Sequence, residues 1–316
     1  MTTTKTDVGG NISEPGAGHS YYLGALFSSA GSFLRKRYRS ARDLNDAEFL
    51  SLFDIPEVNS RIDHGFNIKA TAALLNHFQS RVEENWLNPP EQLVDLAFDR
   101  SNASDEEIIS RADLVLDYDL EWSGVPPEIN SFGEIDWQRN ILQNRDWLFR
   151  LNRHSWWPLL GLAYQRSGDE RYAKAFAEQL SAWINNNFPL DNSQTDPHVW
   201  SSEQVALRLR VSWIPAFGMF YHSPYFNTTR KLEMLRSIFD QARFLKQQKA
   251  QDDLLLSGGL VSAGLSFPEI REASKWRQVA LQRCREYLIG NEQQRSTNLL
   301  AVSDRAHAES LVSAPA

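Results

Sequence analysis

One cysteine, Cys284, stands in 316 residues, so no internal disulfide forms and the fold does not depend on an oxidising compartment. A lone thiol of this kind reads as a small buried apolar residue. No apolar run approaches the roughly 20 residues that a membrane-spanning helix needs, so no membrane partner is expected. Positive charge is the minority sign: 33 Lys and Arg face 40 Asp and Glu, a net charge of -7. Phosphate-binding surfaces are normally basic, which argues against nucleic acid as a partner. Motifs for metals and nucleotides are missing as well. Without HExxH or a cysteine pair there is no zinc-protease or cysteine-based metal site. Gly258-Gly259 lacks the Lys-Ser/Thr of a phosphate-binding loop, and GxSxG does not occur. No cofactor or metal is implied.

What is present points to a helical globular protein. A hydrophobic fraction of 42% and a charged fraction of 23% suit a soluble chain, and 316 residues suffice for one large domain or two ordinary ones. Residues 1–20, rich in Gly, Ser, Thr and Asn without apolar periodicity, read as a disordered tail. The apolar stretch from Tyr21 to Phe27 precedes the basic run Arg35-Lys36-Arg37-Tyr38-Arg39, the reverse of a secretory leader. No cleaved signal is expected, and the default compartment is the cytoplasm.

Helical spacing predicts helices over 46–53 and 66–84, the second through Ala70, Ala73, Leu74, His77 and Phe78 and ended by Pro89-Pro90. Ser104 and Glu107 open another with a capping-box pattern. A loop-rich passage over 120–133, with Gly124, Pro126-Pro127 and Gly133, is expected over a rim. Helices at 145–166, 170–186, 202–220, 228–248, 253–264 and 269–289 follow, and Pro158 marks either a kink or a true first turn. Strand signals are nearly absent. Helix pairs joined by short turns must bury apolar stripes on both sides, and curving them into inner and outer rings is one economical solution; a flat bundle or solenoid is the alternative, but no strict sequence repeat supports a solenoid, so the expected fold class is an all-α toroid.

The block from Trp147 to Trp213 carries most of the functional signal. Ten tryptophans exceed what a core of this size needs, and some are expected to face a ligand, because indole faces stack on sugar C–H faces. Trp183 and Trp213 sit on apolar helical faces and read as core. Trp200 follows Asp196-Pro197-His198 in a loop and is the better ligand candidate. Asn152-Arg153-His154, read as consecutive helical positions, fan across about 200°, so at most two share a cleft; a helix-end hydrogen-bond network is the equal alternative. Glu203 and Arg208 lie five apart, poorly placed to pair with each other, and read as surface residues.

These pieces together resemble the N-terminal helical domain of the heparinase II/III-type polysaccharide lyases. The matching stretches are Ala72-Ala73-Leu74-Leu75 with His77-Phe78, Leu151-Asn152-Arg153-His154, Gly168-Asp169-Glu170-Arg171-Tyr172, Trp200 with Val205-Ala206-Leu207-Arg208, and Phe267-Pro268-Glu269 with Lys275-Trp276. The resemblance implies an incomplete α/α toroid over 21–290, followed in relatives by a β-sandwich, and here by a divergent tail over 291–316. It also implies β-elimination at a uronic acid, with an asparagine neutralising the sugar carboxylate and a tyrosine and a histidine moving protons. At the asparagine's place stands Asp253, a degenerate catalytic position whose charge repels the carboxylate unless burial keeps it protonated. Ala314 falls where the tyrosine belongs, and the sandwich with its histidine is missing.

Substrate contacts implied by resemblance are Asn152, Arg153, His154 and Trp200; Glu203 and Arg208 join them as neighbours in the same block. The partner is acidic polysaccharide of heparan, alginate or chondroitin type, and exported relatives imply a periplasmic alternative for location. The reading is a domain that binds such a polymer and is incompetent for elimination as an isolated chain. Two others stand beside it: an active lyase completed by a separate β-sandwich, with His154 or His307 in substitute roles, and a truncated remnant without function.

Overall fold

The computed structural model describes residues 40–84, 103–120, 124–131, 133–139, 142–187, 199–248 and 254–289. The two expected tails, and with them Asp253, His307, Ala314, Trp86 and Trp122, lie outside the described residues. Among these residues the regular elements are helices, joined by turns and irregular stretches such as 133–139, with two isolated bridges, Phe53 with Ile270 and Ile129 with Ile135. No helix among these residues is long and apolar enough to cross a membrane.

Local chemistry sets most of the helix ends. A 3-10 turn over Ala41–Asp43 leads to α1 (Asp46–Leu50), where Asn45 and Glu48 form a reciprocal capping box that satisfies two otherwise unpaired donors. Pro56 opens α2 (Pro56–Asp63), a helix the spacing argument did not separate. Next come α3 (Asn67–Glu83) and α4 (Asp105–Leu116), whose Ser104 cap accepts from the Glu107 amide.

The helix expected over 145–166 is two helices, α5 (Arg145–Leu151) and α6 (Trp157–Ser167), so Pro158 marks a first turn and not a kink. Gly168 closes α6 at φ +69°, a left-handed cap open to glycine at little cost, and Asp169 caps α7 (Glu170–Asn186). After α8 (Ser202–Arg208) a π-helical turn, Leu209–Trp213, continues without a break into α9 (Ile214–Met219). The array ends with α10 (Thr228–Gln247), α11 (Leu254–Ser266) and α12, residues 273–289.

Helix α6 packs on α4 and α7, α7 on α10, and α10 on α8 and α11, giving the curved layers of an incomplete α/α toroid. The α8–α11 crossing is close: a methyl group on Gly259 would meet the Ala206 Cα at 2.6 Å. The N-terminal helices are tied to the α11–α12 turn, where the Glu269 carboxylate takes both His77 and Arg81 and the Asp54 amide donates to the Glu269 carbonyl. All eight tryptophans among the described residues are buried, none above 7% exposed. Cys284 is half-buried, more open than its sequence reading.

Candidate functional site

The triplet Asn152-Arg153-His154 occupies the turn between α5 and α6, where His154 takes φ +57°. That left-handed conformation breaks the helix, so the expected fan of consecutive helical positions does not form. One continuous helical element grips the turn from the other side. Gln204 accepts from Arg153 Nε at 2.5 Å, and Arg208 Nη1 donates to the Asn152 carbonyl at 3.0 Å. Ser212 Oγ donates to the Arg153 carbonyl at 2.7 Å, and Trp213 Nε1 to His154 Nδ1 at 3.0 Å. The π turn adds one residue to the helical repeat, and Ser212 and Trp213 both bond the same turn from within it.

Three of the sequence candidates are thereby interior groups. Asn152 is fully buried, donating to the Trp137 and Leu148 carbonyls and accepting from Trp183 Nε1 at 2.8 Å. His154 is fully buried among five indoles, those of Trp137, Trp156, Trp157, Trp183 and Trp213, with ring centroids 4.2–6.0 Å away. Indole N–H is only a donor, so His154 Nδ1 is unprotonated and the neutral ring carries its proton on Nε2, which has no hydrogen-bonding partner. Burial first, and the charge of Arg208 second, hold its pKa well below the usual histidine value.

Arg208, expected at the surface, is also fully buried. Its guanidinium lies over the Trp183 ring at 4.4 Å and the Trp200 ring at 5.4 Å, and it donates to Gln241 and the Val199 carbonyl. Burial pushes its pKa down to about 9, which leaves the cation charged at neutral pH.

Trp200 is 7% exposed, so it does not present the open face expected of it. Its Nε1 donates to the Asn187 carbonyl, and with Trp183 it forms the apolar wall of a narrow pocket that Arg236 and Asp240 close. Both of those are already engaged, Arg236 with the Ala41 and Leu44 carbonyls and Asp240 with Ser40 and the Ala41 amide. Beyond the loop-rich passage, Gln138 donates to the Asn186 carbonyl.

The two remaining candidates reach outward. Arg153 is half-buried and Glu203 exposed. Burial lowers the Arg153 pKa against the opposing pull of the Glu203 carboxylate, and Arg150 adds to the lowering. Beyond its Nε bond to Gln204, the Arg153 guanidinium has no hydrogen-bonding partner among the described residues, and the fully buried Gln204 leaves Nε2 unpaired among them. The sequence reading passed over Gln204. Its signal is a polar stripe at Gln204, Arg208 and Ser212, four residues apart beside the buried apolar Val205, Leu209 and Trp213. Among the described residues no three His, Cys, Asp or Glu side chains gather as a metal site.

Comparison with known proteins places this geometry. Residues 49–291 match the family model described as heparinase II/III N-terminus. A heparin-sulfate lyase of Pedobacter heparinus is 34% identical over 152 residues, which cover 47% of this chain and 23% of that protein. One from Bacteroides stercoris is 25% identical over 242 residues, 71% of this chain and 35% of the relative. In fold, the crystal structure of a heparan sulfate lyase from Pedobacter heparinus superposes with a TM-score of 0.65 at 24% identity, over 76% of this chain and 38% of its own. The chain thus spans between about a quarter and two fifths of the length of these relatives.

Proposed function

Because the chain belongs to the heparinase II/III family through that family's N-terminal domain, we propose that it is a helical domain that holds acidic, uronic-acid-containing polysaccharide and does not eliminate it as an isolated chain. The observation that carries the binding half is Arg153: the turn that bears it is gripped at four points, and its guanidinium is left with donors to spare. A cation held on a rigid turn loses little freedom on meeting an anionic sugar. Relatives named as heparin-sulfate lyases make the polymer class the natural ligand.

The non-catalytic half rests on two residues. Asp253 stands where the resemblance expects the asparagine that neutralises the sugar carboxylate, and an ionised aspartate opposes that task. His154, the nearest substitute for a proton-moving group, is sealed among indoles with its basic nitrogen occupied by Trp213, so it reaches no ligand. Loss of one positioned acid or base removes about two to four decades of rate.

The test pairs retention with chemistry. The chain is passed over immobilised heparan, alginate and chondroitin, then incubated with each while absorbance from unsaturated uronate is followed. Retention on at least one polymer with absorbance flat against a blank is expected. Growth of absorbance on any of them overturns the non-catalytic half, and retention on none overturns the binding half.

A further inference from the structure

The donors around Arg153 are arranged more selectively than a general attraction to polyanions requires. Arg153 Nε is held at 2.5 Å by the Gln204 amide oxygen, a neutral acceptor that leaves the guanidinium charge uncompensated at contact range. Its Nη1 and Nη2, without a hydrogen-bonding partner among the described residues, form a two-pronged fork. Gln204 is itself fully buried, so this acceptor is fixed by the packing around it.

The surrounding charges are balanced. Arg150 adds one positive charge, and Glu203 and Asp146 supply two negative ones close enough to act on Arg153. With Arg153 itself the sum is neutral, so a dense polyanion gains little from the local field, whereas one planar anion gains from directed hydrogen bonds. Carboxylate geometry matches a guanidinium fork.

We propose that Arg153, held at Nε by Gln204, forms a recognition point for a single sugar carboxylate, taken by the Arg153 Nη1/Nη2 fork. This rests on the polysaccharide reading above and narrows it from acidic polymer to carboxylate.

Gln204→Glu tests it without changing side-chain shape, because the new carboxylate neutralises the Arg153 guanidinium from its Nε side. The intact chain and this variant are titrated with an unsulfated uronic-acid polymer, the same polymer with its carboxylates reduced to alcohols, and a sulfated polymer reduced in the same way. The parent is expected to prefer the carboxylate form over the reduced form by at least tenfold, and Gln204→Glu to erase that preference with an unchanged unfolding midpoint. A preference that survives Gln204→Glu within twofold overturns the assignment, as does a parent that favours the reduced sulfated polymer and loses that preference in the variant. Should Gln204→Glu not fold, Arg153→Lys serves in its place: it keeps the charge and loses the fork, and an undiminished preference again overturns the proposal. A parent that binds none of the three polymers removes the polysaccharide reading itself, an outcome distinct from loss of the carboxylate preference alone.

Discussion

The tryptophan-rich block from Trp137 to Trp213 and the closing helix pair α11 and α12 are built from similar apolar fractions but end in opposite states. In the first, the described tryptophans are interior, and Asn152, His154 and Arg208 are fully buried, each with a partner remote in sequence. In the second, Leu254, Leu265, Leu281, Leu288 and Ile289 are each 45–58% exposed. The first region is an interior that fixes one outward cation, and the second buries Leu256, Leu260, Trp276 and Ala280 on one side while its other face stays open. Polar residues inside the first region serve as joints between elements, so a polar side chain in an apolar pattern signals fold there more than ligand.

The sharpest break of that contrast is Arg208→Ala. Three acceptors and two indole faces lose their partner together, and destabilisation of about 3–5 kcal/mol is expected in urea unfolding; a change under 1 kcal/mol would erase the distinction between interior joint and surface residue. Gly259→Ala comes next. It drives a methyl group against Ala206 at the seam between the two regions, with an expected loss of about 1–3 kcal/mol, read as a lowered thermal midpoint.

His154 sharpens the comparison through pH. Its folded pKa lies below the unfolded value of 6.5, so below pH 6.5 the unfolded chain takes up a proton that the fold refuses, and stability falls as pH falls. The slope is up to about 1.4 kcal/mol per pH unit for this one group. His154→Asn, which tolerates the left-handed backbone, should flatten that slope between pH 6.5 and 5, and an unchanged slope would show that the proton is taken up elsewhere. Smallest is Leu281→Gln on the open edge, expected within about 0.5 kcal/mol of the parent in the same unfolding assay.

Much of the scaffold was legible in the sequence because apolar spacing and turn residues are local signals. Gly168-Asp169 and the stripe through Ala173, Phe176, Leu180 and Trp183 place the end of α6 and both ends of α7 to within a residue or two. The site was less legible, since what decides it is tertiary. Nothing local to Leu151-Asn152-Arg153-His154 announces φ +57° at His154, and once the helix breaks there the expected fan of side chains has no meaning. Arg208 read as a surface residue because its acceptors, Gln241 and two carbonyls, are set by packing and not by spacing along α8. Trp200 read as a loop aromatic, yet its indole closes over Arg208.

On the proposed reading, the gripped turn presents Arg153, and Arg153 alone of the triplet, to an acidic polymer. Measuring the affinity of the parent and of Arg153→Met for a uronic-acid polymer, alongside their thermal midpoints, tests it most directly. Binding at least tenfold weaker in Arg153→Met, with the midpoint within about 2–4 °C of the parent because the backbone grip is untouched, is the predicted result. Equal affinity in the two proteins would contradict it.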